Sequence, residues 1–162
     1  MPAYLKDQEY MDHVGHLIDT EKVQRLGEIT HHYHSTRLEH SINVSYTSYK
    51  LAKRLGWDAK STARGGLLHD LFYYDWRDTK FNKSHAWIHP RIAVRNAQKV
   101  TTLNKIEKDI IVKHMFGATV APPRYKESWI VTCVDKYWAV REATLPWQHE
   151  WKNRKILRLK IP

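Results

Sequence analysis

RLEHSINVSYTSYKLAKRLGWD, residues 37–58, followed at 63–72 by ARGGLLHDLF, decides how this chain folds. In the first stretch His40, Val44, Thr47, Leu51 and Leu55 recur at steps of three and four, the spacing of one face of an α-helix. The helix is expected to open near Thr36 and to stop at Gly56, a residue suited to the left-handed turn after a helix. Asp58 is placed to cap the next helix, which carries the second stretch. Gly65 and Gly66 lie inside that helix. A glycine there costs ~1 kcal/mol relative to alanine, so a close approach or a nearby site is expected.

Working outward, the apolar period stays helical and no strand-like alternation persists. A first helix is expected from about Asp7 to about Leu26, with a break near Asp19–Thr20, and the HHYHS stretch after it has no clear assignment. Downstream, a polar loop YDWRDTKFNKS leads to HAWIHP, where Pro90 suits the first turn of a helix reaching about Val100 with His89, Ala93, Asn96 and Val100 on one face. Asn104 and Glu107 form a capping-box pattern ahead of a helix with Ile106, Ile110 and His114 inward. The prolines at 122 and 123 mark a break. Ser128 is then expected to cap a helix with Val131, Asp135, Trp138 and Glu142 on one face, and the structure of the basic tail WKNRKILRLKIP is left open. The expected fold is all-α, a compact single-domain helical bundle over 1–162.

Composition sets further bounds. The net charge of +10 draws anions: nucleic acid, a membrane surface or a phosphorylated small molecule. Cys133 is the only cysteine, so no intrachain disulfide forms, and it is expected to be buried packing. No apolar run approaches the ~20 residues needed to cross a bilayer, and the N-terminus has no signal-peptide pattern, so a cytoplasmic protein is expected. The aromatics, among them Tyr46, Tyr49, Trp76, Trp129 and Trp138, are read as core or pocket walls.

The polar residues carry the chemistry. His40, Asp70, His89, His114 and Asp135 each fall on or beside the inner stripe of a different helix, and His69 points ~100° from Asp70. A carboxylate turned inward either shifts its pKa or finds a cation. Imidazole with carboxylate suits transition metals, and the spacing is neither that of a zinc finger nor HExxH, so the site would be assembled between helices of a bundle. A lone inward histidine is usually a satisfied core residue; the ordered set is what argues for metal.

These residues bring the chain to a known pattern. RLEHSINVSYTSYKLAKRLGWD, ARGGLLHDLF and VTCVDKYWAV resemble the HD superfamily of metal-dependent phosphohydrolases, with further histidines in HPRIAVRNA and IVKHMFGAT as in its extended subgroup. The order and rough spacing are similar to bacterial HD hydrolases that split dinucleoside tetraphosphates. The resemblance covers about 37–141, leaving 1–36, an N-terminal helix and His-rich segment, and the basic tail 146–162 outside it. It implies that His40, His69, Asp70 and Asp135 hold one divalent ion and that His89 and His114 hold a second, with Asp70 bridging; Fe, Mn, Co, Ni, Zn and Mg are all candidates. His85 competes with His89 as ligand, and His34 and His85 are candidates to protonate a leaving group. Asp70 would orient the attacking water. Arg37, His34, Arg77, Lys113 and Lys136 are the candidate substrate contacts. Where some relatives carry a basic residue soon after the His–Asp pair, this chain has Phe72, Tyr73 and Tyr74, and then Asp75 and Arg77. The expected function is hydrolysis of a phosphate ester or phosphoanhydride of a nucleotide-like small molecule, without a membrane partner. The alternatives are an HD-type di-iron oxygenase and a non-catalytic nucleic-acid or nucleotide binding module. A homodimer is left open.

Overall fold

The structure is a computed structural model describing residues 2–32, 35–75, 79 and 81–158, with backbone alone for 30–32 and 145–158. Its described residues form seven α-helices and one short ribbon: α1 (Gln8–Ile18), α2 (Glu21–Gln24), β1 (Thr30–His32), β2 (Ser35–Thr36), α3 (Arg37–Arg54), α4 (Ala59–Leu68), α5 (His85–Gln98), α6 (Lys105–Lys113) and α7 (Lys126–Arg158). The fold is all-α apart from that ribbon, in which β1 pairs antiparallel with β2 across the His-rich stretch.

Local chemistry accounts for the element starts. Asp7 accepts from the Tyr10 backbone N–H and caps α1, and the chain breaks at Asp19–Thr20 before α2. Thr36 and Glu39 close a reciprocal capping box at α3, as Asn104 and Glu107 do at α6. Asp58 caps α4 through Ser61 N, and Gly56 ends the α3 connection with φ of 66°.

Two helix expectations need correction. α5 begins at His85 rather than at Pro90, which sits inside the helix; Ser84 precedes it. α7 begins at Lys126, so Ser128 is interior and buried rather than a cap. The chain turns into α7 where Asp109 accepts from the backbone N–H groups of Arg124 and Tyr125, at 2.9 and 3.4 Å. The backbone remains helical through Pro146 to Arg158, so this proline also lies inside an element.

The α3 stripe is also turned from its expected direction. His40 and Val44 are buried, but Leu51 and Leu55 are 40% and 52% exposed, while Ser41, Ser45, Ser48 and Ala52 face inward. The reason is the close approach of α4. A Cβ added at Gly66 would lie 3.0 Å from Ser45 Cα, and the Ser45 hydroxyl donates to Ala63 O (2.7 Å) while accepting from Tyr10 OH (2.9 Å). Small residues make that seam, and a count of apolar residues passes over them.

One apolar cluster joins Tyr10, Val14, Leu17 and Leu26 to Leu67, Leu68 and Ile111. A second, Val44, Ile110, Val131 and Val134, joins α3, α6 and α7. Val44, Ile110 and Val131 stand one helical turn from His40, His114 and Asp135, so this cluster is an apolar floor under the layer of polar residues. On the opposite side of α7, Cys133 is exposed and Trp129 is 42% exposed, both against expectation, with the Trp129 ring edge-on to Phe116 at 5.2 Å. Tyr49 is fully buried as expected, and Trp76 lies outside the described residues.

Candidate metal centre

Five helices bring the six expected ligands together. His40 lies in the first turn of α3, His69 caps the end of α4 with Asp70 next to it, His89 is in α5, His114 caps the end of α6, and Asp135 is in α7. His40, His69, Asp70, His89 and His114 are buried; the Asp135 side chain is 13% exposed and marks the accessible edge. His40, His69 and Asp70 form one group of potential ligands. His69, His114 and Asp135 form another, and Asp70, His89 and His114 a third. Asp70 Oδ1 lies 3.3 Å from His89 Nε2 and 3.5 Å from His114 Nε2, and its Oδ2 lies 3.9 Å from His69 Nε2. Asp135 Oδ1 lies 3.0 Å from His40 Nε2 and 3.5 Å from His69 Nε2.

The outer nitrogens fix the tautomers. His69 Nδ1 donates to Gly66 O (2.7 Å), His89 Nδ1 to His85 O (3.0 Å) and His114 Nδ1 to Ile111 O (2.8 Å). A carbonyl oxygen only accepts, so each Nδ1 carries the hydrogen and each neutral ring turns the lone pair of Nε2 inward. The Nε2 atoms of His89 and His114 are then 2.8 Å apart, lone pair against lone pair unless a proton or a cation stands between them. His69 Nε2 and Asp70 Oδ1 are buried without a hydrogen-bond partner among the described residues. Nitrogen and carboxylate donors converging in this way fit a divalent transition metal.

Electrostatics divide the cluster in two. Burial works against charge on His40, but hydrogen bonds to Asp135 and Glu142 outweigh it and raise its pKa to about 10. Burial likewise opposes charge on His69, and Asp70 and Asp135 overcome it, so His69 is also raised. His114 is lowered, first by burial and further by the neighbouring His89 and His69. Burial disfavours the ionised forms of Asp70 and Asp135, yet the surrounding imidazoles hold both carboxyls well below the ordinary range. Cation-seeking carboxylates are therefore kept ionised inside the bundle.

The other expected residues distribute unevenly. The α5 geometry selects His89 over His85 for the cluster: His85 contributes its backbone carbonyl to His89, and its ring stacks on His89 at 4.3 Å with Nδ1 3.2 Å from Tyr74 OH. Burial, reinforced by His89, pushes the His85 pKa down to about 4. Arg37 is buried with its guanidinium over the Phe72 ring (3.7 Å) and Nη1 donating to Phe72 O. Lys136 Nζ donates to His114 O at 3.1 Å, at the edge of the cluster. Lys113 instead lines a separate cleft with Trp87 and Arg91. His34 and Arg77 lie outside the described residues. Glu142, on the inward face of α7 but without an expected role in the site, joins it: its Oε2 accepts from His40 Nδ1 (3.1 Å) and from Ser35 Oγ (3.0 Å). Its position seven residues after Asp135, two turns along one face, was the available signal.

Comparison with known proteins agrees with this geometry. The family model described as HD domain matches residues 37–157. Over 104 residues, 61% of this chain, the sequence is 31% identical to Ribonuclease Y of Mesoplasma florum, and over 120 residues, 71% of the chain, it is 28% identical to Ribonuclease Y 1 of Pediococcus pentosaceus. The matched segments span 20% and 23% of those relatives. No solved structure matches. No helix among the described residues is long and apolar enough to cross a membrane. With three quarters of its length under the family model and the His and Asp residues of that pattern gathered in one cluster, the chain belongs to the HD domain family, whose members are generally metal-dependent hydrolases.

Proposed function

We propose that this protein hydrolyses a phosphate ester or phosphoanhydride of a nucleotide-like substrate, using one or two divalent ions. The observation that carries the reading is the position of Asp70, whose carboxylate lies between the His89–His114 pair and His69. His40, His69, Asp70 and Asp135 would hold one ion, and Asp70, His89 and His114 a second. Divalent ions so held lower the pKa of water from ~15.7 toward ~7 and offset charge on phosphoryl oxygens.

The chain's own residues supply the rest. Asp70 is placed to accept a hydrogen bond from water and fix its direction. Asp135, with its side chain 13% exposed, marks the edge from which a substrate would approach. Lys136 brings a positive charge to the same edge, anchored on His114 O. Arg37 and Phe72 form one wall. His85, with a pKa near 4, is unprotonated at neutral pH, so it suits accepting a hydrogen bond from the substrate better than protonating a leaving group. The net charge of +10 favours an anionic substrate, and the ribonuclease names of the two relatives favour a phosphodiester within the nucleotide class.

The test is a hydrolysis screen of nucleoside phosphates, dinucleoside polyphosphates and short oligonucleotides with Mn, Fe, Co, Ni, Zn or Mg. Asp70→Asn, which keeps the side-chain size, is the control. Metal-dependent cleavage abolished by D70N is expected. Cleavage that survives D70N, or no cleavage with any ion, overturns the reading.

A further inference from the structure

We infer that Glu142 is a positioning residue for the metal centre, holding the His40 ring so that Nε2 faces the ligand cluster. The inference rests on reading the centre as a metal site. His40 differs from its three partners. His69, His89 and His114 each turn Nδ1 back to a carbonyl three or four residues earlier, on their own helix or at its end. His40 sits in the first turn of α3 and takes its Nδ1 partner from α7, where Glu142 Oε2 is 3.1 Å away.

The same helix also meets the other nitrogen, since Asp135 Oδ1 lies 3.0 Å from His40 Nε2. Asp135 and Glu142 therefore hold both ends of one imidazole from positions two turns apart. Glu142 is itself constrained: it is 7% exposed, and Ser35 Oγ donates to the oxygen that receives His40. A carboxylate on the outer nitrogen of a ligating histidine fixes its tautomer and makes it a stronger donor to metal; removing such a partner typically costs ~10–100-fold in metal affinity.

The surroundings allow the role to be separated from packing. Glu142 also forms part of an open cleft of about 510 Å³ lined by Ser35, Asn43, Tyr46 and Trp138. A small carboxylate can enter from that side once the glutamate side chain is cut back.

Zinc affinity would be measured by chelator competition on the full chain, for the wild type, Glu142→Gln and Glu142→Ala. E142Q keeps a carbonyl acceptor and is expected within a few-fold of the wild type, while E142A weakens binding ~10–100-fold. Formate should restore part of the loss in E142A and leave the wild type unchanged, a response that a lost packing contact would not give. A wild type that binds zinc while E142A binds equally well overturns this inference alone; a wild type that binds no metal overturns the functional reading with it. Should E142A fail to fold, ¹⁵N NMR of the zinc-loaded wild type decides. His40 protonated at Nδ1 and coordinated through Nε2 supports the inference, and His40 coordinated through Nδ1, or not at all, overturns it.

Discussion

His40 without a metal is an imidazolium between two carboxylates, and with a metal it must give up the proton on Nε2. These two states predict opposite pH behaviour. In the chelated protein its pKa is raised from 6.5 to about 10 by Asp135 and Glu142, so the stability it contributes is fully present below about 6.5 and is lost as pH rises toward 10. Asp70 and Asp135 act at the other end: their lowered pKa values add stability that is fully present above the ordinary carboxyl range and is lost as pH falls below it toward the depressed folded values. Melting of chelator-treated protein should therefore fall off on the alkaline side between pH about 6.5 and about 10. Zinc should remove that decline, and zinc uptake should release protons, tightening as pH rises. An alkaline limb as flat without metal as with it would show that His40 is not the coupled group. The residue types of the centre were legible in the sequence because each ligand had to stand on an inward stripe. What His40 does with its outer nitrogen was not legible, because Glu142 reaches it only through the pairing of α3 with α7.

Helix caps are local, so the start near Thr36, the Asp58 cap and the Asn104–Glu107 box were readable one element at a time, while the cap expected at Ser128 was not, because α7 begins at Lys126. Which face of a helix turns inward depends on its neighbour, and there the reading failed for Leu51 and Leu55. The α3–α4 seam is built from serines and glycines because the backbones approach too closely for larger side chains. A Cβ at Gly66 would meet Ser45 Cα at 3.0 Å, while Gly65 faces α6, where a Cβ would meet Ile110 Cδ1 at 2.7 Å and Ile110 Cβ at 3.0 Å. Alanine gains up to ~1 kcal/mol in helix propensity over glycine, whereas overpacking a fixed core contact costs ~1–3 kcal/mol. At Gly66 the Ser45–Ala63 hydrogen bond and the backbone position of the Ser45 contact leave α3 little room to yield, and at Gly65 the buried Ile110 is met at its Cβ as well as its tip, so the clash should dominate at both. Gly65→Ala and Gly66→Ala are both expected to lower stability in urea denaturation. G66A should also weaken zinc binding, since Gly66 O orients His69. A stabilised G66A with unchanged zinc affinity would mean that the seam is looser than the packing implies. Pro90 within α5 shows the same limit from another side: proline is most readily placed in a first turn, but the helix begins at Ser84–His85.

At the scale of the molecule, the centre is the place where α3, α4, α5, α6 and α7 meet, and no single helix supplies enough ligands to hold an ion. Binding of an ion there would consequently be coupled to folding of the whole bundle rather than to one loop. An unfolded chain scatters His40 and Asp135 across 95 residues of sequence and offers no comparable site. A ligand that prefers the folded state in this way stabilises it by RT ln(1 + [L]/Kd), ~2.7 kcal/mol at 100 times Kd and ~4.1 at 1,000 times. Calorimetry should show one cooperative transition that moves upward as free zinc is raised and returns when the metal is chelated. The shift should vanish in Asp70→Asn and persist in Lys113→Ala, because Lys113 faces the separate cleft beside Trp87. A transition that splits on chelation would place the metal on a part of the bundle able to unfold by itself. A transition that ignores zinc altogether would mean that the inward carboxylates are balanced by protonated histidines alone, which is the arrangement the raised His40 pKa describes in the absence of a cation.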